Sequence, residues 1–409
     1  MPQHMQLTEE QRRVSDAIMD FARTRYSDKR PYICVAGYAG TGKTTVMGYT
    51  GARLLREHPY KAIYYCAPTA KAANVLKGKL YDFNAMNDNS SVRTVHGHIY
   101  NLHNIVDGEM RWDRKDDIGR CGLFVVDEAS MITQRMFRDL LSFKRPIIFI
   151  GDPCQLPPVG DQTPFSPLMN TDLVLKTVHR QALDNPIISV ATDIRNGVPI
   201  PFGWRGDSFF KAGRRTKNEV KLKKTFIDTI LTKNNMILCG INSTRVNLNM
   251  VIREALGCKG DLPNIGERLL CLENNWKSHV FNGQIYAVRN KPYKYVNEYC
   301  YVVDIGKSFP VVAFTKALNI SNPKTLKTLK DCYACELNDA KRIYFEEFDQ
   351  DGILMFDYGY ACSVHKAQGS EWDNVLLYDE RMRAQTDEQY MQWLYTGVTR
   401  AKKKLCVIS

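Results

Sequence analysis

The stretch PYICVAGYAGTGKTTVMGYTGARLL, residues 31–55, joins an apolar strand pattern to a helical pattern through a glycine-rich loop. Within it, four residues separate Gly37 from the run Gly42, Lys43 and Thr44. Glycines let successive backbone N–H groups and a helix N-terminus face a phosphate. Lys43 adds a positive charge for the β- and γ-phosphates, and Thr44 offers a hydroxyl to Mg2+. The pattern therefore predicts a nucleoside triphosphate site between a strand and a helix.

Length and composition indicate a globular protein with more than one domain. The chain has 409 residues, enough for about two to four domains of ~100–200 residues. Hydrophobic residues make up 44% and charged residues 24%, and no segment has the ~18 apolar residues that a membrane helix needs. The start MPQHMQLTEEQRR lacks the apolar core of an export signal. We expect a cytoplasmic protein with no membrane partner.

Charge and cysteine spacing restrict the partners only in part. The formal net charge of +12 indicates a polyanionic partner, although a merely basic soluble surface explains such a balance as well. The 12 cysteines have no repeated spacing, which favours reduced thiols. The pair Cys332 and Cys335 lacks the second pair of ligands that a structural zinc site needs.

Two further apolar runs end in polar turns. In CGLFVVDEASMIT, Asp127 and Glu128 follow a buried strand, where an aspartate can hold magnesium and an adjacent glutamate can polarise the attacking water. The alternative is that Asp127 caps the following helix. In RPIIFIGDPCQLPPV, Gln155 follows another such strand. Loops at the carboxyl ends of parallel strands converge, so Gln155 is expected to reach the γ-phosphate, although a lone glutamine in this position is more often solvated.

Ten short motifs occur in an order that resembles the superfamily 1 DNA helicases. They are LTEEQ (7–11), GYAGTGKTT (37–45), CAPTAKAA (66–73), TVHG (94–97), VVDEAS (125–130), GDPCQLPP (151–158), TVHRQ (177–181), FNGQ (281–284), SVHKAQG (363–369) and YTGVTRAKKKL (395–405). GDPCQLPP, FNGQ, SVHKAQGSEW and YTGVTRA resemble the RecD-type branch, and the compact size is similar to the Dda-type helicases of tailed phages. The resemblance implies an ATP-dependent helicase that moves 5′ to 3′ on single-stranded DNA and unwinds duplexes in a bacterial or phage-infected host cytoplasm.

The resemblance also implies a nucleotide site with ATP and Mg2+. Gln11 would read the adenine edge, and Arg180 and Arg400 would reach the γ-phosphate from a second motor domain. On physical grounds alone, either arginine would more often be a surface salt-bridge partner, since most arginines are exposed. Thr44 and Asp127 are the expected metal ligands. The expected catalytic residues are Lys43, Glu128, Gln155, Arg180 and Arg400. The expected nucleotide-binding residues are Gln11, Gly37, Ala39, Gly40, Thr41, Gly42, Lys43, Thr44, Thr45, Asp127, Gln368 and Gly369.

Polar residues after other strands are expected to contact the DNA backbone. The alternatives are helix N-caps for Thr69 and Thr244 and a satisfied histidine for His365. Trp372 is expected to pack in a core, and the basic run RRTKNEVKLKK (214–224) to be a solvated helix face. The expected partners are single-stranded DNA, forked duplex DNA and a single-strand-binding or replication protein, with the protein itself a monomer. The expected strand-contacting residues are Thr69, Lys71, His96, Asn242, Thr244, His365 and Lys366.

Strand and helix patterns alternate along much of the chain, which predicts an α/β fold with parallel sheets. With the resemblance, this becomes two P-loop-type (RecA-like) motor domains. Asp107-Gly108 is a strong hairpin signal, and the aromatic, β-branched segment after Gly283 is similar to an SH3-like β-barrel. The expected bounds are 1–170 for the first motor domain with a β-hairpin at about 97–118, 171–282 and 350–409 for the second, and 283–349 for the barrel.

Two other classes of protein compete with a helicase. A P-loop kinase or GTPase would explain the phosphate loop, but it gives no reason for the late arginine motifs, and the guanine-reading pattern N-K-x-D is missing. A nucleic-acid-binding protein with an inactive nucleotide site is disfavoured because Lys43, Thr44, Asp127, Glu128 and Gln155 are all present.

Overall fold

The computed structural model describes most of the chain as two units. The first comprises Met1–Val198 with Met391–Thr399, and the second comprises Pro199–Tyr390 with Arg400–Ser409. None of the described helices has the length and apolar character needed to span a bilayer. The described residues are 6–102, 112–158, 166–168, 171, 173–178, 184–231, 233–273, 275, 278–294, 300–307, 310–314, 318 and 354–409.

The first unit is built on a six-stranded parallel sheet with the order β3-β2-β6-β7-β1-β8. Its strands, with the hairpin pair β4 and β5, are β1 (Tyr32–Gly37), β2 (Ile63–Ala67), β3 (Ser91–Thr94), β4 (Tyr100–Leu102), β5 (Trp112–Arg114), β6 (Leu123–Val126), β7 (Ile147–Gly151) and β8 (Leu173–Leu175). Its helices are α1 (Glu9–Arg23), α2 (Lys43–Glu57), α3 (Ala70–Asp82), α4 (Val95–Ile99), α5 (Gln134–Ser142) and α6 (Pro186–Arg195), with a 3-10 turn at Ala129–Met131.

The central strands of this sheet are buried on both faces. In β7, Ile148 and Ile150 pack into one hydrophobic cluster, whereas Ile147 and Phe149 pack into another. Successive side chains of a strand point to opposite faces, so the alternation places a core on each side of the sheet. This explains why the strand reads as a continuous apolar run rather than an alternating one.

The second unit contains a second six-stranded sheet with the order β18-β11-β19-β20-β10-β9, parallel except for the β9–β10 pair. Two three-stranded antiparallel sheets, β13-β12-β17 and β14-β15-β16, accompany it. The strands are β9 (Gly203–Arg205), β10 (Phe209–Ala212), β11 (Asn235–Cys239), β12 (Arg268–Cys271), β13 (Ile285–Ala287), β14 (Tyr293–Lys294), β15 (Cys300–Val303), β16 (Val311–Phe314), β17 (Phe356–Tyr358), β18 (Ala361–Ser363), β19 (Trp372–Tyr378) and β20 (Ala401–Ile408). The remaining helices are α7 (Lys217–Thr229), α8 (Asn242–Ala255), α9 (Val364–Ala367) and α10 (Asp387–Val398).

The expected α/β class is confirmed, and some strand pairs join segments on the two sides of an expected bound. Strand β8 pairs with β1, so the first sheet extends past residue 170. Strands β12 and β17 pair with β13, although both lie outside the expected barrel segment 283–349. The described part of that segment forms short antiparallel strands, and residues 319–353 lie outside the described residues. The SH3-like barrel and the domain bounds stay predictions. Trp372 is buried, as expected.

The predicted β-hairpin is confirmed at its base, where β4 and β5 pair antiparallel. Its turn at Asp107-Gly108 lies outside the described residues. The Tyr100 hydroxyl donates to Asp139 Oδ2 at 2.6 Å, and the Arg114 guanidinium lies 5.1 Å from the centre of the Phe143 ring. Asp139 lies on α5 and Phe143 directly follows it, so both hairpin strands are fixed to the same helix.

Gly151, at the end of β7, lies against the turn that follows β6. A Cβ atom there would lie 2.7 Å from Ala129 N and 2.8 Å from Leu168 Cδ1. We expect Gly151→Ala to lower the free energy of unfolding by about 1–3 kcal/mol, because the backbone at Ala129 must move to make room for the added methyl group. Denaturant unfolding measures this. Gly78→Ala is the control: its Cβ would meet nothing within 4 Å, and we expect it to raise stability by about 0.5–1 kcal/mol. Equal stability of the two variants would contradict the packing argument.

Candidate functional site

The glycine-rich loop enters α2 through Gly42, which has φ +82° and ψ 30°. This left-handed conformation is open to glycine without a steric cost. Gly42 is also the N-cap of α2, and no side chain caps this helix, so its first N–H groups are available to an anion. Gln11 Nε2 donates to the Thr41 carbonyl at 3.0 Å. Because Gln11 is held in a capping box with Thr8, the start of α1 is fixed to the phosphate loop.

Lys43 is folded back onto its own loop. Its ammonium group donates to the Gly37 carbonyl at 2.7 Å and to the Tyr38 carbonyl at 3.1 Å. It also lies 3.9 Å from Asp152 Oδ2. To contact a phosphate, the ammonium must exchange these carbonyl bonds for phosphate oxygens, which are stronger acceptors because they are charged.

Asp127 and Glu128 form a turn directly after β6. Asp127 Oδ1 accepts the Glu128 N–H at 3.0 Å, and Glu128 has φ +49°, a left-handed conformation that costs a non-glycine residue ~1–2 kcal/mol. Desolvation, and next the charge of Glu128, raise the pKa of Asp127 well above that of an exposed aspartate. The helix-cap alternative for Asp127 is wrong, because Thr133 is the N-cap of α5.

This turn is chemically suited to a divalent cation. Two adjacent carboxylates repel each other, and Glu128 Oε2 is buried with no hydrogen-bond donor among the residues the structure describes. A cation would offset both costs. Within the described ranges, no group of three or more His, Cys, Asp or Glu could hold a metal by itself. Mg2+ does not require such a group, since it commonly binds one or two carboxylates together with nucleotide phosphates. Thr44 and Asp127 fit this role.

The loop after β7 is organised around Asp152, which is fully buried. Its carboxylate accepts the Cys154 N–H at 3.0 Å and the Tyr395 hydroxyl at 2.7 Å. Gln155 is buried beside it, and the backbone N–H of Gln155 donates a hydrogen bond to the Asp152 carbonyl at 3.2 Å. Tyr395 also accepts the Ala39 N–H of the phosphate loop at 3.0 Å. The sequence patterns did not identify Tyr395 as a site residue. Its position in the motif YTGVTRA was the signal that could have identified it.

Of the remaining predicted nucleotide residues, Arg400, Gln368 and Gly369 belong to the second unit. Arg180 lies outside the described residues. Arg400 is buried and donates to the Ser370 carbonyl at 3.3 Å. Gln368 is buried, and Gly369 has φ +69°. Their roles at the nucleotide stay predictions.

In the first unit, Thr69 is the N-cap of α3 and its hydroxyl oxygen accepts the Ala72 N–H at 3.1 Å. The capping alternative is therefore correct for Thr69. Burial lowers the pKa of His96, whose ring lies 5.3 Å from that of Tyr100. Contacts of Thr69, Lys71 and His96 with a DNA strand stay predictions.

In the second unit, the start of α8 is covered by a carboxylate. Glu380 Oε2 accepts the N–H groups of Gly240 and Ile241 at 2.9 and 3.3 Å, and Oε1 accepts the Thr244 hydroxyl at 2.7 Å. The capping alternative for Thr244 is wrong, because Ile241 is the N-cap and Glu380 supplies the acceptor. A strand phosphate can bind these donors only if Glu380 gives them up.

The other expected strand residues of this unit lie near α8 and α9. Asn242 Oδ1 accepts Arg245 Nε at 3.4 Å, and Arg245 pairs with the buried Asp357. Desolvation lowers the pKa of His365, whereas Lys366 is exposed to solvent. The DNA contacts of these residues stay predictions.

Two family models match the chain. The model described as an AAA domain matches residues 6–205, and the model described as a UvrD-like helicase C-terminal domain matches residues 358–408. The first match includes the phosphate loop, the Asp127-Glu128 turn and the Asp152 loop. The second includes α9, α10 and Arg400.

Several proteins similar to this chain are described as helicases or helicase-complex subunits. The ATP-dependent DNA helicase dda of Enterobacteria phage T4 is 26% identical, over 97% of this chain and 98% of its own length. The RecBCD enzyme subunit RecD of Buchnera aphidicola is 23% identical, over 92% of this chain and 70% of its own length. The crystal structure of a Bacteroides Pif1 helicase in complex with ADP-AlF3 and single-stranded DNA matches with a TM-score of 0.52 and 17% identity, over 99% of this chain and 92% of that one. The fold is therefore the two-domain, RecA-like α/β fold of these helicases.

The carboxylate cap of α8 can be tested by Glu380→Gln. We expect the free energy of unfolding to fall by about 1–2 kcal/mol, because three hydrogen bonds to a carboxylate become bonds to a neutral amide. Denaturant unfolding measures the change. Glu371→Gln is the control, since Glu371 forms an exposed ion pair with Lys402 at 3.3 Å that we expect to contribute less than about 1 kcal/mol. An equal loss in both variants would contradict a special role for Glu380.

Proposed function

Because the chain is a superfamily 1 helicase of the RecD/Dda-like branch, we propose that it hydrolyses ATP to move 5′ to 3′ along single-stranded DNA and to unwind duplex DNA. One observation carries the proposal. The phosphate loop, the Asp127-Glu128 turn and the Asp152–Gln155 loop leave the carboxyl ends of three neighbouring parallel strands, β1, β6 and β7. Such ends form the ligand crevice of a parallel sheet.

The residues of this crevice supply the parts that phosphoryl transfer requires. The free N–H groups at the start of α2 would hold the β-phosphate, and Lys43 would turn from its loop carbonyls to the β- and γ-phosphates. Glu128 would take the proton of the attacking water through its unpartnered oxygen. Thr44 and Asp127 would hold Mg2+, which would neutralise charge on the phosphates. Gln11, whose side chain is fixed to Thr41, would read the base beside the loop.

The remaining residues extend the proposal to γ-phosphate sensing and to DNA. Gln155 would detect the γ-phosphate from the loop that also contains Asp152, and Arg180 and Arg400 would stabilise charge in the transition state. Thr69, His96, Thr244 and their neighbours would hold backbone phosphates. The net charge of +12 favours such a polyanionic partner. We propose that the protein works as a monomer on forked DNA and cooperates with a single-strand-binding or replication protein.

A strand-displacement assay tests the function directly. Duplexes with a 5′ single-stranded tail and duplexes with a 3′ tail are incubated separately with protein, ATP and Mg2+. We expect strand separation only on the 5′-tailed duplex. Separation only on the 3′-tailed duplex would overturn the polarity, and no separation of either, with ATP hydrolysis indifferent to DNA, would overturn the helicase and favour a small-molecule kinase.

Glu128→Gln should keep ATP binding and lose most hydrolysis, because the amide preserves the shape of the side chain but cannot take a proton. We expect a fall in kcat of about 100-fold or more, measured as steady-state ATPase with saturating single-stranded DNA. Lys43→Ala should weaken binding and hydrolysis together. Glu57→Gln, at an exposed ion pair with Arg23, is the matched control and should retain wild-type kcat. More than a tenth of wild-type kcat in Glu128→Gln would contradict the assignment of Glu128.

Binding of single-stranded DNA should weaken as salt rises. We expect log K to fall linearly with log salt with a slope of about −0.7 for each phosphate neutralised. Fluorescence anisotropy with a labelled oligonucleotide measures the slope, and the same oligonucleotide should stimulate ATP hydrolysis. A slope near zero would contradict a phosphate-binding surface.

A further inference from the structure

The Tyr395 hydroxyl joins two loops of the nucleotide crevice. It accepts the Ala39 N–H at 3.0 Å and donates to Asp152 Oδ2 at 2.7 Å. The side chain is buried. A hydroxyl has one hydrogen to donate, and here that hydrogen is committed to Asp152. The phosphate loop and the loop after β7 are therefore connected through a single oxygen atom.

The helix around Tyr395 fixes this oxygen in place. The neighbouring Thr396 hydroxyl accepts the Leu156 N–H at 2.9 Å and donates to the Gln392 carbonyl at 2.7 Å. Thr399 N–H donates to the Tyr395 carbonyl at 3.0 Å. Two successive side chains of α10 thus contact the loop after β7. Residues Met391–Thr399 belong to the first unit together with that loop.

Asp152 Oδ2 is shared between two donors of different character. One is the Tyr395 hydroxyl at 2.7 Å, and the other is the Lys43 ammonium at 3.9 Å. Asp152 is fully buried, and opposite charges in a desolvated site attract each other strongly. If the hydroxyl were missing, Lys43 would be the donor left for this oxygen among the described residues, and the ammonium would be drawn towards it.

The geometry points to Tyr395 as a positioning residue that keeps Lys43 available to the nucleotide: its hydroxyl satisfies Asp152 and holds Ala39 of the phosphate loop in place. This inference rests on the proposed ATPase function. Burial, and next the charge of Asp152, raise the pKa of Tyr395, so the hydroxyl stays protonated and remains a donor at neutral pH.

Tyr395→Phe removes the hydroxyl and keeps the ring. We expect the Kd for ATP, measured by calorimetry with Glu128→Gln in the background to prevent hydrolysis, to rise about tenfold. In the otherwise wild-type enzyme, KM for ATP should rise by a similar factor while kcat changes less than about twofold. Tyr65→Phe is the matched control. Tyr65 is also buried in the first unit, and its hydroxyl donates to the Ala85 carbonyl at 2.9 Å, away from the crevice, so its loss should leave KM unchanged.

A rescue experiment separates this role from packing. Asp152→Asn removes the charge that would capture Lys43, so KM of the double variant Tyr395→Phe/Asp152→Asn should lie within about twofold of Asp152→Asn alone. Thermal unfolding without nucleotide checks that each variant is folded. An unchanged KM in Tyr395→Phe would overturn the inference. So would a double variant whose fold-increase in KM equals the product of the increases in the two single variants. A wild-type protein that neither binds nor hydrolyses ATP would overturn the proposed function instead.

Discussion

The nucleotide crevice depends on the parallel pairing of β7 with β1 on one side and with β6 on the other. The register aligns Ala36 with Gly151 and Val126 with Phe149, so the three strands end within about two residues of one another. A slip in register would displace the phosphate loop, the Asp127-Glu128 turn and the Asp152 loop relative to each other. The close approach of Gly151 to Ala129 N fixes the same alignment from the side.

Much of the first sheet could be predicted because its strands are continuous apolar runs that end in recognisable turns. Strands β1, β6 and β7 have six, four and five residues, and the glycine pattern after β1 determines where α2 begins. Strand β8 was not foreseen, since a three-residue strand has no periodicity to read. It pairs with β1 from beyond the expected bound at residue 170. Strand β12 precedes the expected barrel segment, and its partners are β13 inside that segment and β17 after it.

The chemistry of the site could be predicted where it is local and could not where it depends on distant residues. Glycine, lysine and threonine in the phosphate loop lie within one motif, and the acidic pair follows one strand. Tyr395 is 356 residues from Ala39, and Glu380 is 136 residues from Thr244. No spacing rule connects such pairs, because the packing of the whole sheet brings them together. The sequence alone therefore indicated Thr244 as a phosphate ligand without indicating the carboxylate that already accepts its hydroxyl hydrogen.

The attachment of the β-hairpin to α5 has a mechanical consequence. The hydrogen bond from Tyr100 to Asp139 and the contact of Arg114 with Phe143 fix each hairpin strand at a different point of the helix and its end. A force on the hairpin is therefore transmitted to α5 through these two contacts. Helix α5 follows the Asp127-Glu128 turn by only a few residues. A load on the hairpin would therefore reach the turn that contains Asp127 and Glu128 through a short stretch of the first unit.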